Sequence, residues 1–291
     1  MLEVILEFSA KREGRFLIKD LAKIVLDAEK LAREARVEIL KMTSYAKASH
    51  VGSALSVIDI LSTLYSGVAN ININNAQSQD RDVLILSKGH AASALYAVLA
   101  IQGFFPRKLL DNFCDNGAKL GGHVTSSDLF GIELSTGSLG HGLPYGLGIA
   151  LSRKMSGVNG RVFVVMSDGE CDEGTTWESA LLANHHELDK LVVIIDRNRI
   201  QSLKDTEKTL KLEPFKEKWE SFGWTSKIVD GHDYSALALA VNQENNRPMV
   251  VIANTTKGRG VSFMEHSVEW HYRSPNEEEL TAAIDEIQSQ K

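Results

Sequence analysis

Val162-Phe163-Val164-Val165-Met166-Ser167-Asp168-Gly169-Glu170 and Leu191-Val192-Val193-Ile194-Ile195-Asp196-Arg197-Asn198-Arg199-Ile200 are two apolar runs that each break into a polar turn. Each run reads as a buried strand, and residues 174–186 between them have the length and composition of a crossover helix. A βαβ unit brings the carboxyl ends of its two parallel strands to one edge of the sheet. Asp168 and Asn198 are therefore expected to converge there. An Asp carboxylate, an Asn amide oxygen and the Ile200 carbonyl are hard ligands. Together they would leave about three places of an octahedral shell for phosphate oxygens or water, the arrangement magnesium prefers. Taken singly, an Asp-Gly and an Asn-Arg turn need no such explanation, because these residues favour turns for local reasons. The pair, in this order and spacing, points to a cation that anchors a phosphate-bearing cofactor.

The same pattern recurs outward from this unit. Val83-Leu84-Ile85-Leu86 runs into Ser87-Lys88-Gly89-His90 and a helical stretch over 91–101. Lys227-Ile228-Val229 runs into Asp230-Gly231-His232, and Met249-Val250-Val251-Ile252 into a Gly-containing turn over 254–260. Near-continuous apolar strands separated by helices predict an α/β fold, a parallel sheet with helices on both faces. Residues 18–42 carry apolar side chains at helical spacing and predict a long amphipathic helix. Residues 70–81 read as a loop and 276–288 as a short terminal helix. The domain reading is one unit over 17–275, with an extension over 1–16 and a helical tail over 276–291. Gly146-Leu147-Gly148 echoes a dinucleotide-binding turn, but it follows no strand and lacks the full spacing, so a nicotinamide site is not expected.

Composition narrows the function classes. Of 291 residues, 43% are hydrophobic and 24% charged, as in ordinary globular proteins. The net charge of -6 offers no basic stripe for nucleic acid or an anionic membrane. The start of the chain is apolar but too short and acidic for a signal peptide, and no run approaches membrane-spanning length. Cys114 and Cys171 form neither a disulfide framework nor a zinc motif. A cytoplasmic location is expected.

Beyond these readings, Asp168-Gly169 through Asn198-Arg199-Ile200 resembles the fingerprint of thiamine diphosphate enzymes, with Ser167 in place of the more usual Gly. Further segments stand in the order seen in transketolases: Ala48-Ser49-His50-Val51-Gly52-Ser53, Leu86-Ser87-Lys88-Gly89-His90-Ala91, Gly121-Gly122-His123, and Thr136-Gly137-Ser138-Leu139-Gly140-His141-Gly142. Thr255-Thr256-Lys257-Gly258-Arg259-Gly260 and Glu269-Trp270-His271 complete the set. Over residues 20–275 the chain resembles the N-terminal, diphosphate-binding (PP) half of a two-polypeptide transketolase.

That resemblance implies thiamine diphosphate and Mg2+ (or Ca2+ or Mn2+) as cofactors, with Asp168, Asn198 and the Ile200 carbonyl holding the metal. It places Gly137, Ser138, Leu139, Gly169 and Glu170 at the cofactor, His90 and His271 at the diphosphate and the reacting centre as catalytic residues, and the catalytic His50 and His123 toward the hydroxyls of a ketose. Imidazoles suit that task, since cleaving a ketose requires removing a hydroxyl proton near neutral pH. Glu173 matches an acidic position at the subunit boundary near the aminopyrimidine and is a catalytic candidate on that ground, with a helix N-terminus as its plain structural explanation. His141, where Gln is frequent, is a weaker site candidate, and Tyr272 follows His271 where Gly is more usual. The implied reaction moves a two-carbon ketol unit from a ketose, or its phosphate, to an aldose. The glutamate that activates the aminopyrimidine belongs to the family's following, pyrimidine-binding domain, so a separate partner subunit is expected, in an α2β2 heterotetramer. Two alternatives share the Asp-Gly and Asn turns: an α-like subunit of a 2-oxoacid dehydrogenase or decarboxylase, and a non-catalytic cofactor-binding paralogue. The histidines weigh against the first, since a decarboxylated oxoacid presents no row of hydroxyls.

Overall fold

A computed structural model describes residues 18–290 of the chain, so the expectations for residues 1–16 lie outside the described residues. Five parallel strands, β1 Val83–Leu86, β2 Val162–Ser167, β3 Leu191–Arg197, β4 Thr225–Asp230 and β5 Met249–Asn254, form one sheet in the order β1-β2-β3-β5-β4. Each expected strand is present. Several run one to three residues further into polar sequence than the apolar pattern suggests, because Ser167 pairs with Asp196 and Arg197 with Asn254 in the ladders. The two faces follow from the period of two along each strand. Leu84, Leu86, Phe163, Val165, Val192, Ile194, Val251 and Ala253 join one core. Val83, Ile85, Val162, Val164, Met166, Val193, Ile195, Val250 and Ile252 join the other. Burial on both faces is why these strands read as continuous apolar runs rather than alternating ones. The edge strand β4 is the exception: Ser226 is buried and Ile228 is 54% exposed.

Among the described residues, eight helices of seven or more residues cover the two faces: α1 Ile18–Tyr45, α2 Val51–Thr63, α3 Ala92–Ile101, α4 Gly142–Ser156, α5 Gly174–His185, α6 Phe215–Ser221, α7 Tyr234–Asn242 and α8 Glu277–Ser289. The first three, with α7 and α8, pack on one face, and α4, α5 and α6 on the other. A capping box starts α8: Asn276 Oδ1 accepts from Glu279 N at 2.9 Å, and Glu279 Oε2 from Asn276 N at 3.0 Å. Its Leu280, Ala283 and Ile287 enter the same core as α1.

Four of these helices, α2, α4, α6 and α7, have no stated range in the sequence pattern, and α2 and α4 show why. Every residue of α2 is buried, including Ser53, Ser56 and Asp59. With the wide turn that continues it, Val51–Val68 is long and apolar enough to cross a membrane, contrary to the expectation that no run is. Interleaved serines mask it in the sequence, and 89% of that stretch is buried inside this fold as the central helix of its layer.

The second, α4, contains Gly146 and Gly148. A Cβ on Gly146 would stand 2.5 Å from Val164 Cγ2, so this glycine lets the helix press onto β2, whereas Gly148 has open space around it. Gly148→Ala is expected to stabilise the chain by about 0.5–1 kcal/mol through helix propensity. Gly146→Ala is expected to cost about 1–3 kcal/mol through overpacking. Urea unfolding midpoints of the two variants check this, and equal shifts would contradict it.

Candidate active site

Because all five strands run the same way, the turns after β1, β2, β3 and β5 meet along one edge. Asp196, near the end of β3 and fully buried, ties them together. It accepts hydrogen bonds from Lys88 Nζ after β1, Thr255 Oγ1 after β5 and, at 2.6 Å, Ser56 Oγ of α2. Lys88 and Asp196 both have no exposed side-chain surface. A charged pair survives such burial only with further hydrogen bonds, which Ser56, Thr255 and Ser53 O supply here.

Asp168 and Asn198 lie on this edge as expected. Asp168 Oδ2 accepts from Arg199 N at 2.8 Å, Arg197 Nη1 at 3.2 Å and Thr206 Oγ1 at 3.3 Å. The carboxylate thus reaches across from the β2 turn to the β3 turn. Asn198 Oδ1 accepts from Ile200 N at 3.1 Å, an Asx turn, while Nδ2 donates to Ser56 Oγ at 3.2 Å. Ser167 closes β2 as an ordinary strand residue, which explains why a side chain is tolerated there. Gly169 lies close against Gln201, where a Cβ would stand 2.9 Å from Cγ and displace that side chain.

Lys257 Nζ approaches the Ile200 carbonyl at 3.2 Å, the Gln201 carbonyl at 3.3 Å and His271 Nδ1 at 2.9 Å. The Ile200 and Gln201 carbonyls therefore face a positive group. Burial, with Lys88 nearby, pulls the Lys257 ammonium down to about 8. Burial also pushes the Asp168 carboxyl up, against the pull of Arg197. Asp168, Asn198 and the Ile200 carbonyl bring to this edge hard oxygen donors of the kind a divalent ion takes. The two buried ammoniums fit a diphosphate.

The four expected histidines gather around His50. Its ring centroid is 4.9 Å from that of His271, 5.4 Å from His90 and 5.5 Å from His123. His50 itself has φ 77°, a left-handed conformation that is costly for a residue with a side chain. The 271–275 segment holds it there: His271 O accepts from His50 N at 2.8 Å, Tyr272 O from Ser49 Oγ at 3.1 Å and Pro275 O from Ser44 Oγ at 2.9 Å. Tyr272 is 58% exposed, and its ring stands edge-on to His271. Gly137 lies against His123, where a Cβ would come within 2.9 Å of Cδ2.

The remaining expected residues are placed differently. Glu170 is fully buried and faces the protein, accepting from Ser87 Oγ, from Gly140 N at 2.9 Å and from Ser167 N at 3.3 Å. It fixes the Gly137–Gly140 loop against the strand ends. Glu173 is exposed at the start of α5, with its stem against Gly140. Ser138 and Leu139 are turned toward His141, whose Nδ1 lies 3.4 Å from Ser138 Oγ and 3.0 Å from Leu139 O. Lys88, Lys257 and Asp196 carry no role in the sequence reading. Their signal was their place, since each ends or directly follows an apolar strand, where open parallel sheets bind ligands.

Burial is the main cause that holds three of the imidazoles neutral. It lowers His50 to about 4, with help from His123, and His271 to about 3, with help from Lys257; His90 also lies well below the ordinary range. The unfolded chain takes up these protons near pH 6.5, whereas the folded imidazoles resist until about 4 or 3. Between those limits the unfolded state binds more protons, so the stability of the cofactor-free chain falls as pH is lowered through this window. Thermal midpoints from pH 7 to 4 should show the decline, and it should flatten in His50→Gln/His271→Gln. Identical slopes in the two proteins would contradict neutral burial.

Residues 28–287 match the family model described as "Transketolase, thiamine diphosphate binding domain". The chain is 38% identical over 267 residues to a subunit of the apulose-4-phosphate transketolase of Actinobacillus succinogenes, covering 91% of this chain and 97% of that protein. It is 35% identical to the 6-deoxy-6-sulfo-D-fructose transketolase subunit SqwG of a Clostridium species, covering 91% and 98%. Among solved structures, transketolase from Campylobacter jejuni superposes with a TM-score of 0.83 at 28% identity, covering 94% of this chain and 43% of that one. The chain thus spans about two fifths of that longer enzyme.

Proposed function

The chain belongs to the transketolase family through its thiamine diphosphate-binding domain, and on that premise we propose that it is the cofactor-anchoring subunit of a split transketolase. The observation that carries this reading is the convergence of four histidine rings beside the Asp168 and Asn198 turns. When bound, thiamine diphosphate supplies the nucleophile that cleaves a ketose and carries its two-carbon fragment. In this reading Asp168, Asn198 and the Ile200 carbonyl hold Mg2+, with Ca2+ or Mn2+ as substitutes. Lys88, Lys257, His90 and the Gly137–Leu139 loop hold the diphosphate and rings.

The imidazoles bind and move protons at the substrate. His50, His90 and His271 are neutral at pH 7, and His50 and His90 are able to accept a hydroxyl proton. Lys257 donates to His271 Nδ1, which leaves the ring proton on Nε2 for donation to a sugar oxygen. His123, the outermost of the four by exposure, faces the incoming ketose. The other three are half-buried, which limits the access of water to the proton-transfer steps.

A separate subunit completes the enzyme in this reading. The relatives matched almost end to end are named as subunits, while the Campylobacter jejuni transketolase is more than twice as long. A pyrimidine-binding polypeptide, in an α2β2 heterotetramer in the cytoplasm, is the proposed arrangement. The substrates are a ketose or ketose phosphate donor and an aldose acceptor.

Incubating the reconstituted pair with ketose donors and aldose acceptors tests the reaction class. A product ketose longer than the acceptor by two carbons is expected. Consumption of a 2-oxoacid with release of CO2, and no ketol transfer, would replace this reading with the oxoacid dehydrogenase one.

A further inference from the structure

Asp230-Gly231-His232 ends the edge strand β4 and has no part in the site described above. The turn is pressed against the one that follows β5: Gly231 N donates to Asn254 O at 2.7 Å, and a Cβ on Gly231 would stand 2.4 Å from Thr255 Cγ2. His232 bonds in two directions. Its Nδ1 lies 2.6 Å from Asp59 Oδ2, and its Nε2 lies 2.8 Å from Thr256 N. A backbone N–H can only donate, so Nε2 accepts and the ring proton sits on Nδ1, donated to Asp59.

Asp59, on the buried helix α2, is 2% exposed. Arg36 Nη2 donates to its Oδ2 at 2.6 Å and Tyr234 OH to its Oδ1 at 2.7 Å, and Arg36 Nε also donates to Arg259 O at 3.2 Å. A carboxylate that orients an imidazole is a familiar support for metal ligands. Here the imidazole's second nitrogen holds a backbone amide instead. That amide lies between two residues of the site edge: Thr255, bonded to Asp196, and Lys257, bonded to His271 and Ile200 O. Arg36 and Tyr234 already meet the charge of Asp59, and the Nε2 bond to Thr256 adds nothing to that.

We infer that His232 is a positioning residue: oriented by Asp59, it fixes the Thr255–Lys257 turn so that the Lys257 ammonium reaches His271 and the Ile200 carbonyl. This rests on the reading of that edge as the cofactor site.

Two substitutions separate the imidazole's bonds. His232→Gln offers an amide oxygen near the place of Nε2 and keeps an acceptor for Thr256. His232→Asn keeps a donor near Nδ1 for Asp59 and leaves Thr256 without an acceptor. In the full, cofactor-free chain, hydrogen–deuterium exchange over residues 254–258 is expected to speed up about tenfold in His232→Asn and to stay near wild type in His232→Gln. In the chain with its partner subunit, half-saturation by thiamine diphosphate with Mg2+ should rise about tenfold in His232→Asn only. A purely structural role, in which His232 serves Asp59, gives the reverse order: Asn harmless, Gln harmful, with binding following the thermal midpoint. That order, or unchanged exchange in His232→Asn, overturns the inference. If the wild-type pair binds no thiamine diphosphate, the cofactor reading fails, while the exchange comparison still decides whether His232 fixes the turn.

Discussion

Asp168→Ala is expected to abolish metal-dependent thiamine diphosphate binding by the assembled enzyme. The carboxylate has two tasks, and the substitution removes both. As the charged member of the proposed metal set, it supplies the negative charge that Asn198 and the Ile200 carbonyl lack. Changing even the residues that support metal ligands costs about 10–100-fold in affinity, so losing a ligand itself should cost at least the upper figure. The second task is structural: Asp168 accepts from Arg199 N, Arg197 and Thr206, so alanine leaves the Arg197 guanidinium buried with one partner fewer. Breaking a buried ion pair costs about 3–5 kcal/mol, reduced here because Glu207 and Glu213 also accept from Arg197. Asp168→Asn separates the two tasks, since it keeps the shape and an acceptor oxygen while removing the charge. Calorimetric titration with Mg2+ present and then chelated should show metal-dependent binding in wild type and none in either variant. Unchanged affinity in Asp168→Asn would remove Asp168 from the metal set.

Much of this fold was legible because its strands are buried on both sides. Runs such as 162–166 and 191–195 carry no polar interruptions, and the polar turn after each marks the edge where ligands bind. The helices that packing alone explains were harder to read. In α2 the polar residues Ser56 and Asp59 face buried partners across the fold and Ser53 is buried with them, so the helix shows neither an amphipathic period nor an unbroken apolar run. In α4 the glycines that suggest a loop are needed for contact with β2 or sit harmlessly on the surface. At the site, the Asp168 and Asn198 turns and the four histidines could be read from spacing and resemblance, and the fold brings them to one edge. The roles of Lys88, Lys257 and Asp196 could not, because they depend on pairing between residues more than fifty positions apart. Glu170 shows the same limit from the other side. Its place in the motif suggested the cofactor, whereas its oxygens are taken up by Ser87, Gly140 and Ser167.

The chain alone is expected to transfer no ketol units, with turnover at least roughly a thousandfold below that of the assembled enzyme. In the proposed assembly the described residues provide the diphosphate anchor and the imidazoles that handle substrate protons. The carboxylate that activates the cofactor's aminopyrimidine belongs, in the proposed assembly, to the partner's domain. Glu173 is exposed at the start of α5, and the resemblance to transketolases expects the subunit boundary there. Positioning effects of this kind are lost entirely when half of a site is missing, because neither half holds the cofactor between both of its ends. The direct test is a ketol-transfer assay with thiamine diphosphate and Mg2+, run on this chain, on the pyrimidine-binding subunit, and on an increasing ratio of the two. Activity should be absent from each alone and should rise to a plateau at equimolar mixing. Full turnover by this chain without a partner would contradict the claim that it carries half of an active site.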